Sequence, residues 1–258
     1  VTDLDRSRAL IVDASDSPAD NRNMMKCIIW DFDGTLVERD GMWSGALVEV
    51  ALREGIHTTR DVIRPFLQSG FPWHTPELVR TRGEPPDQWW ARLEPVLCRA
   101  FAEGVGLPLR RALMLACQVR GVYTDARRWR VFPDVQPCLT TLSSSGWQHL
   151  ILSNHVPELE QLVLALGLAK HFKAILSSAT TGVEKPNAQA FQLVRDMLGE
   201  GVQFRMVGDS WQADICGAAR SGIEGCLVRT LHPEAKLFCA DLATLPTLIA
   251  DDKKSNVS

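Results

Sequence analysis

Five short apolar runs recur along the chain: Cys27 to Trp30, Leu150 to Leu152, Ala174 to Leu176, Phe204 to Val207 and Cys226 to Val228. Each is too short for a helix and lacks the alternation of a half-exposed strand. Such runs read as strands buried on both faces, as in a parallel sheet. Helix-spaced segments lie between the later runs. Leu159, Leu162, Val163 and Leu166 share one helical face and stop at Gly167. Phe191, Val194 and Leu198 do the same before Gly199, and Cys138, Leu139 and Leu142 before Gly146. Strand and helix in alternation imply right-handed crossovers and a doubly wound α/β sheet.

One long stretch breaks the alternation. From Gly41 to Arg130 there is no strand pattern, and helices are expected to begin near Trp43, Thr59, Asp87 and Leu109. Prolines at 65, 72, 76, 85, 86, 95 and 108 punctuate it. The expectation is a helical domain over 41–130, inserted after the first strand into a core made of 24–40 and 131–258. Val131-Phe132-Pro133-Asp134-Val135 returns the chain to that core.

Bulk properties narrow the function classes. A chain of 258 residues, 45% apolar and 23% charged, has enough material for a sizeable core. A net charge of −3 gives no global pull toward nucleic acid or an anionic membrane. No apolar run is long enough to span a bilayer. The seven cysteines show no Cys-x-x-Cys spacing and read as reduced core residues, which points to the cytoplasm. Residues 1–23 are polar and acidic without a signal-peptide pattern. They read as a disordered extension, with an edge strand around Leu10 to Val12 as the alternative.

Four polar features follow the apolar runs. Asp31 and Asp33 come directly after the first, with Gly34-Thr35 next; Ser153-Asn154 follows the second; Lys185-Pro186 comes a short loop after the third; Gly208-Asp209-Ser210 follows the fourth, with Asp214 beyond. The carboxyl ends of parallel strands share one edge, where ligands bind. Four carboxylates beside a phosphate would repel unless a hard divalent cation joined them, and magnesium is the usual one. Lys185 adds positive charge, and Ser153 and backbone N–H groups can bind phosphoryl oxygens. A carboxylate is then available to attack phosphorus.

The set resembles the haloacid dehalogenase superfamily, whose phosphatases carry Asp-x-Asp-x-Thr, a Ser or Thr, a Lys and a terminal acidic pair in that order. Gly182-Val183-Glu184-Lys185-Pro186-Asn187-Ala188-Gln189-Ala190-Phe191 is similar to the Gly-x-x-Lys-Pro-Asp-Pro-x-x-Phe run of its phosphoglycolate phosphatase-like branch, with Asn187 and Ala188 as departures. The resemblance covers Lys26 to about Arg229. It implies a Rossmann-like core with an inserted helical cap that closes over the site. It also implies a magnesium-dependent phosphatase for a small phosphorylated metabolite. Asp31 is then the nucleophile and Asp33 the general acid/base. Asp31, Asp33 (through its backbone carbonyl) and Asp209 hold Mg2+, and Asp214 either joins them or partners Lys185. Ser153, Asn154 and Lys185 bind phosphate.

Each feature alone has a plainer reading. Asp-x-Asp-Gly is a common turn, Ser153 a possible helix cap, Lys185 a surface lysine and Asp214 a first-turn acid. Order and company favour chemistry. A phosphomutase and a non-catalytic phospholigand-binding protein are the alternatives. Dehalogenation is disfavoured by Asp33, and phosphonate cleavage by an insertion without lysine. The insertion holds thirteen Arg, nine acidic residues and five of the eight Trp. These form either a grip on an anionic, ring-bearing substrate or core tryptophans with solvated arginines. Arg80 and Arg82 are the first candidates for substrate contact, with Arg127, Arg128 and Arg130 near the hinge. His155 is expected to be structural or at the pocket rim.

Overall fold

The computed structural model describes residues 24–255, with side chains to residue 250. The extension expected over 1–23, with its alternative edge strand, lies outside the described residues. Six strands form one parallel sheet in the order β5-β4-β1-β6-β7-β8. They are β1 Met25–Trp30, β4 Trp147–Ser153, β5 Ala174–Ser177, β6 Val202–Gly208, β7 Glu224–Val228 and β8 Phe238–Cys239. The five apolar runs are the centres of five of these strands. β8, two residues long, carries no apolar run and was not expected. β1 shows why the runs are continuous: Ile28 and Trp30 join the core on one face, Cys27 and Ile29 the core on the other. The sheet is thus covered on both sides, and no side-chain register is left for water. All seven cysteines are free thiols. Among the described residues no helix is long and apolar enough to cross a membrane.

Between β1 and β4 the chain leaves and returns through a two-stranded ribbon. β2 (Val37–Arg39) pairs antiparallel with β3 (Trp129–Val131), so Val37 faces Val131 and Arg39 faces Trp129. The main helices of the insertion, Met42–Arg53, Pro86–Arg99 and Leu109–Tyr123, lie between these strands. The helix expected near Thr59 is only one turn, Arg60–Ile63, before a 3-10 turn with Pro65. Pro95 does not break the chain as expected but sits inside Pro86–Arg99. Its lost hydrogen bond is a cost of about 3 kcal/mol, offset by burying Trp89, Trp90, Leu93 and Leu97 along one face.

Among the contacts that dock the insertion on the core are two sets of hydrogen bonds. Trp90 Nε1 donates to both carboxylate oxygens of Glu158 at 3.1 and 3.2 Å, and Arg120 Nε donates to one of them at 2.8 Å. The loop around Arg80 lies against the segment before Lys185: Arg80 N donates to Gly182 O at 2.8 Å and Gly83 N to Thr180 O at 2.9 Å. Gly182 has φ +79°, and a Cβ there would stand 2.4 Å from Arg80 O. Only glycine allows this approach. Beside it, Glu184 is buried, and burial pushes its pKa up to about 7.

Gly182→Ala is expected to cost about 1–3 kcal/mol of stability, read as a lower denaturation midpoint, with faster proteolysis of the loop around Arg80. Glu184 keeps its proton in the fold to about pH 7, whereas the unfolded chain loses it near pH 4.5. Stability from this group is therefore present at low pH and is lost as pH rises from 4.5 to 7. Glu184→Gln is expected to stabilise by roughly 2 kcal/mol at pH 8 and by little at pH 5. Equal effects at both values in urea melts would contradict this.

Candidate active site

The predicted site residues meet at the carboxyl edge of the sheet. Asp31 follows β1 directly, and its N–H is held by Val207 O of the neighbouring β6 at 2.9 Å. Ser153 ends β4, Asp209 follows β6, and Asp214 lies in the wide helical turn Trp211–Cys216. All of them, with Asp33, Asn154 and Lys185, line one cavity of about 390 Å³. After Asp33 the chain turns back sharply: Leu36 N and Val37 N both donate to Phe32 O, at 2.9 and 3.2 Å. Gly34 sits in this turn at φ +72°, and a Cβ there would fall 2.2 Å from Asp209 Oδ2.

Lys185 is the hub. Its buried ammonium donates to Asp31 Oδ1 at 2.7 Å and to Asp214 Oδ1 at 2.6 Å. Burial alone would lower its pKa, but Asp214 and Asp31 more than reverse this and hold it above the usual lysine value. Asp214 is spent on both oxygens, since Oδ2 accepts from Ser210 N at 3.0 Å. Its clearest role is therefore as partner of Lys185. Among the described residues, no cation is paired with Asp209. Burial first, then Asp31 and Asp214, push its pKa up to about 8.

Asp31, Asp209 and Asp214 each offer a carboxylate oxygen, all within 4.8 Å of one another. Two like charges at that spacing repel by roughly 3–4 kcal/mol at an effective dielectric of about 20. One ammonium cannot offset three such pairs. An all-oxygen donor set with this deficit fits a hard divalent cation. The carboxylate of Asp33 stands outside the group. It faces His155, with Asp33 Oδ1 and His155 Nε2 3.5 Å apart.

Two expectations change here, and one is narrowed. Asn154 lines the cavity, but its amide is used on the main chain of Lys185: Oδ1 accepts from Lys185 N at 2.7 Å and Nδ2 donates to Lys185 O at 2.8 Å. It positions the lysine. His155 takes the structural of its two expected places: it is 2% exposed, packed against Phe32, Tyr123 and Trp129. Neither its Nε2 nor Asp33 Oδ1 has another partner. Its place directly after Ser153-Asn154 was the only sequence signal. The five candidate arginines do not line the cavity. Arg80 bonds Thr75 Oγ1 and Leu78 O, while Arg127, Arg128 and Arg130 pair with Asp125, Glu49 and Glu38. Arg82 is exposed on the loop docked against Thr180.

A hinge contact also escaped the sequence. Arg229, after β7, donates to Thr35 O at 3.2 Å and to Asp134 Oδ1 at 2.7 Å, and its guanidinium lies 3.8 Å from the Phe132 ring centre. It ties the departing and returning strands together beside the cavity.

Comparison with known proteins agrees with this geometry. Residues 25–222 match the family model of the haloacid dehalogenase-like hydrolases. A phosphoserine phosphatase of Thermus thermophilus is 32% identical over 152 residues, spanning 58% of this chain and 59% of that protein. A glyceraldehyde 3-phosphate phosphatase of Methanothermobacter thermautotrophicus is 25% identical over 89% of this chain and 96% of its own length. A phosphoglycolate phosphatase of Aquifex aeolicus is 25% identical over 79% of this chain and 84% of its own. Among solved structures, the magnesium-bound hydrolase YfnB of Bacillus subtilis superposes with a TM-score of 0.65 at 17% identity, covering 88% of this chain and all of that one. The chain is a member of the haloacid dehalogenase-like hydrolase family.

Proposed function

We propose that this hydrolase is a magnesium-dependent phosphatase acting on a small phosphate monoester through an aspartyl-phosphate. The observation that carries the reading is the buried Lys185 bridging Asp31 and Asp214 beside an unpaired, proton-holding Asp209. That arrangement has one ammonium for three carboxylates and leaves Asp33 apart from the cluster.

Asp31 and Asp209 would hold the Mg2+, with the backbone carbonyl of Asp33 and Asp214 as the further candidates; when bound, it would offset the carboxylate charge and polarise the phosphoryl oxygens. Lys185 holds Asp31 Oδ1, which leaves the second oxygen for in-line attack on phosphorus. As the Asp31 oxygen–phosphorus bond forms, the bond to the leaving oxygen breaks. Asp33 delivers a proton to that oxygen. Asp33 then takes a proton from water, whose oxygen attacks phosphorus and releases Asp31 and inorganic phosphate. Ser153 and Lys185 bind the phosphoryl oxygens, and Asn154 keeps Lys185 in place. The helical insertion serves as a cap over 41–130 that excludes bulk water as the phosphoenzyme forms.

Asp31→Asn is expected to lower phosphate release from acetyl phosphate by at least about a thousandfold while keeping the circular dichroism spectrum. Substantial turnover would sink the nucleophile assignment. Asp33→Asn is expected to slow turnover by about a hundredfold or more and to let phosphoenzyme accumulate, visible by intact-protein mass spectrometry. Mg2+ is expected to raise the melting temperature. Asp209 holds a proton below about pH 8, so Mg2+ affinity should fall roughly tenfold per pH unit below that value. Titration calorimetry from pH 6 to 9 reads this, and an affinity independent of pH would contradict it.

A further inference from the structure

A second cavity, of about 560 Å³, opens from the first and shares Asp33, Asn154 and Lys185 with it. It runs between core and insertion, with Trp43 and Trp73 from the insertion and Gln212 from the core among its walls. We propose that this space receives the leaving group of the substrate, and that the leaving group is an uncharged, ring-bearing alcohol. The proposal rests on the phosphatase reading and names the substrate class within it.

Position is the first argument. Asp33, the proton donor to the leaving oxygen, lies in both cavities, so a phosphate at Asp31 would direct its ester oxygen toward the shared wall. The wall itself is the second. Trp89, Trp90 and Trp129 are buried, but Trp43 and Trp73 are only half-buried and face the cleft. Each is fixed from behind by a stacked ring. Trp43 lies 4.0 Å from the Tyr123 centroid at 16°, and Trp73 lies 4.7 Å from that of Phe71 at 15°. Rigid aromatic faces left open beside a catalytic centre suit a flat ring, and binding costs them little ordering.

The polar inventory is the third argument. Among the described residues of this wall Lys185 is the one cation, and both Asp31 and Asp214 hold it. The amide of Asn154 is committed to the Lys185 main chain, and Ser210 Oγ accepts from Ala213 N at 3.1 Å. Exposed Gln212 has the remaining amide. Arg39 borders the catalytic cavity, but its Nη1 donates to the carbonyls of Met42 and Asp40, its Nη2 to Val122 O, and it pairs with Glu49, while its Nε is buried without a partner. Glu38, on the wall of the catalytic cavity alone, is paired with Arg130. A carboxylate on the leaving group would be desolvated in the second cavity with no unpaired cation among its described lining residues. Substrates resembling phosphoserine or phosphoglycolate are therefore disfavoured, although proteins named for them are among the relatives.

The test compares two phosphate monoesters, benzyl phosphate and phosphoglycolate, with the acyl phosphate acetyl phosphate, using the full-length protein and Mg2+. Acetyl phosphate is too small to reach the tryptophans and reports the chemistry alone. Benzyl phosphate is expected to exceed phosphoglycolate in kcat/KM by at least about tenfold, the discrimination of one unpaired buried charge at its lower bound. Trp73→Leu is expected to lower the benzyl-to-acetyl ratio of kcat/KM about fivefold to tenfold. Gln212→Arg, at an exposed position, is expected to raise the phosphoglycolate-to-benzyl ratio by about tenfold. Phosphoglycolate hydrolysed as well as benzyl phosphate, or ratios unmoved by both substitutions, would overturn the substrate class while leaving the phosphatase reading intact. No turnover of any of the three would overturn that reading, and the proposal with it.

Discussion

Three carboxylates gathered at the end of a parallel sheet, with one buried ammonium among them, set the terms for the rest of this molecule. Asp31, Asp209 and Asp214 come within 4.8 Å of each other in a largely buried place. Lys185 satisfies two of them, and the third keeps a proton to about pH 8. Such a cluster is a standing cost to the apo fold, because burial strengthens repulsion as much as attraction. It is tolerable only if the surrounding backbone over-determines it. Strand β1 fixes Asp31, Gly34 makes room for Asp209, and Ser210 N holds Asp214.

The sheet explains why so few residues suffice. Strands β1, β4 and β6 are neighbours and parallel, so their carboxyl ends lie side by side. Residues 31, 153 and 209 are far apart in sequence but each follows or ends one of these three strands. The insertion enters at the same edge, through a ribbon held by Arg229 and bordered by the cavity residue Arg39. A large segment thus reaches the site without disturbing any ladder of the sheet.

That geometry also accounts for what the sequence made legible. A strand buried on both faces must be continuously apolar, so β1, β4, β5, β6 and β7 showed themselves, whereas two-residue β8 had nothing to show. Asp31, Asp33, Ser153 and Asp209 were legible because they end or closely follow strands, and Lys185 and Asp214 because they come a short way beyond β5 and β6. The contacts of the insertion were not. Thirteen arginines say nothing about which acids they pair with, and the candidates proved to be bound to Thr75, Asp125, Glu49 and Glu38 rather than turned to the cavity. Helical spacing likewise gives Trp89 and Trp90 a buried face but cannot separate them from Trp43 and Trp73, whose burial depends on segments folded from elsewhere. The Asn154 amide and the His155 ring belong to the same class: their roles come from partners at Lys185 and Asp33, across loops with no common periodicity.

Asn187 shows how a departure from a family pattern acquires a physical meaning. An ionised Asp at this position could cap the following helix but could not donate a hydrogen bond. Asn187 does both: Oδ1 accepts from Gln189 N at 3.0 Å, and Nδ2 donates to Pro76 O of the insertion at 3.0 Å. The segment from Thr180 to Asn187 therefore carries three attachments. Thr180 and Gly182 accept from the loop around Arg80, Lys185 is gripped by Asn154 and the two aspartates, and Asn187 reaches Pro76. The lysine that offsets the clustered carboxylates sits in the stretch of backbone against which the insertion rests. A change in how the insertion is seated acts on the same few peptide units that hold the ammonium between Asp31 and Asp214, which gives the seating of the insertion and the charge balance of the cluster a common mechanical support.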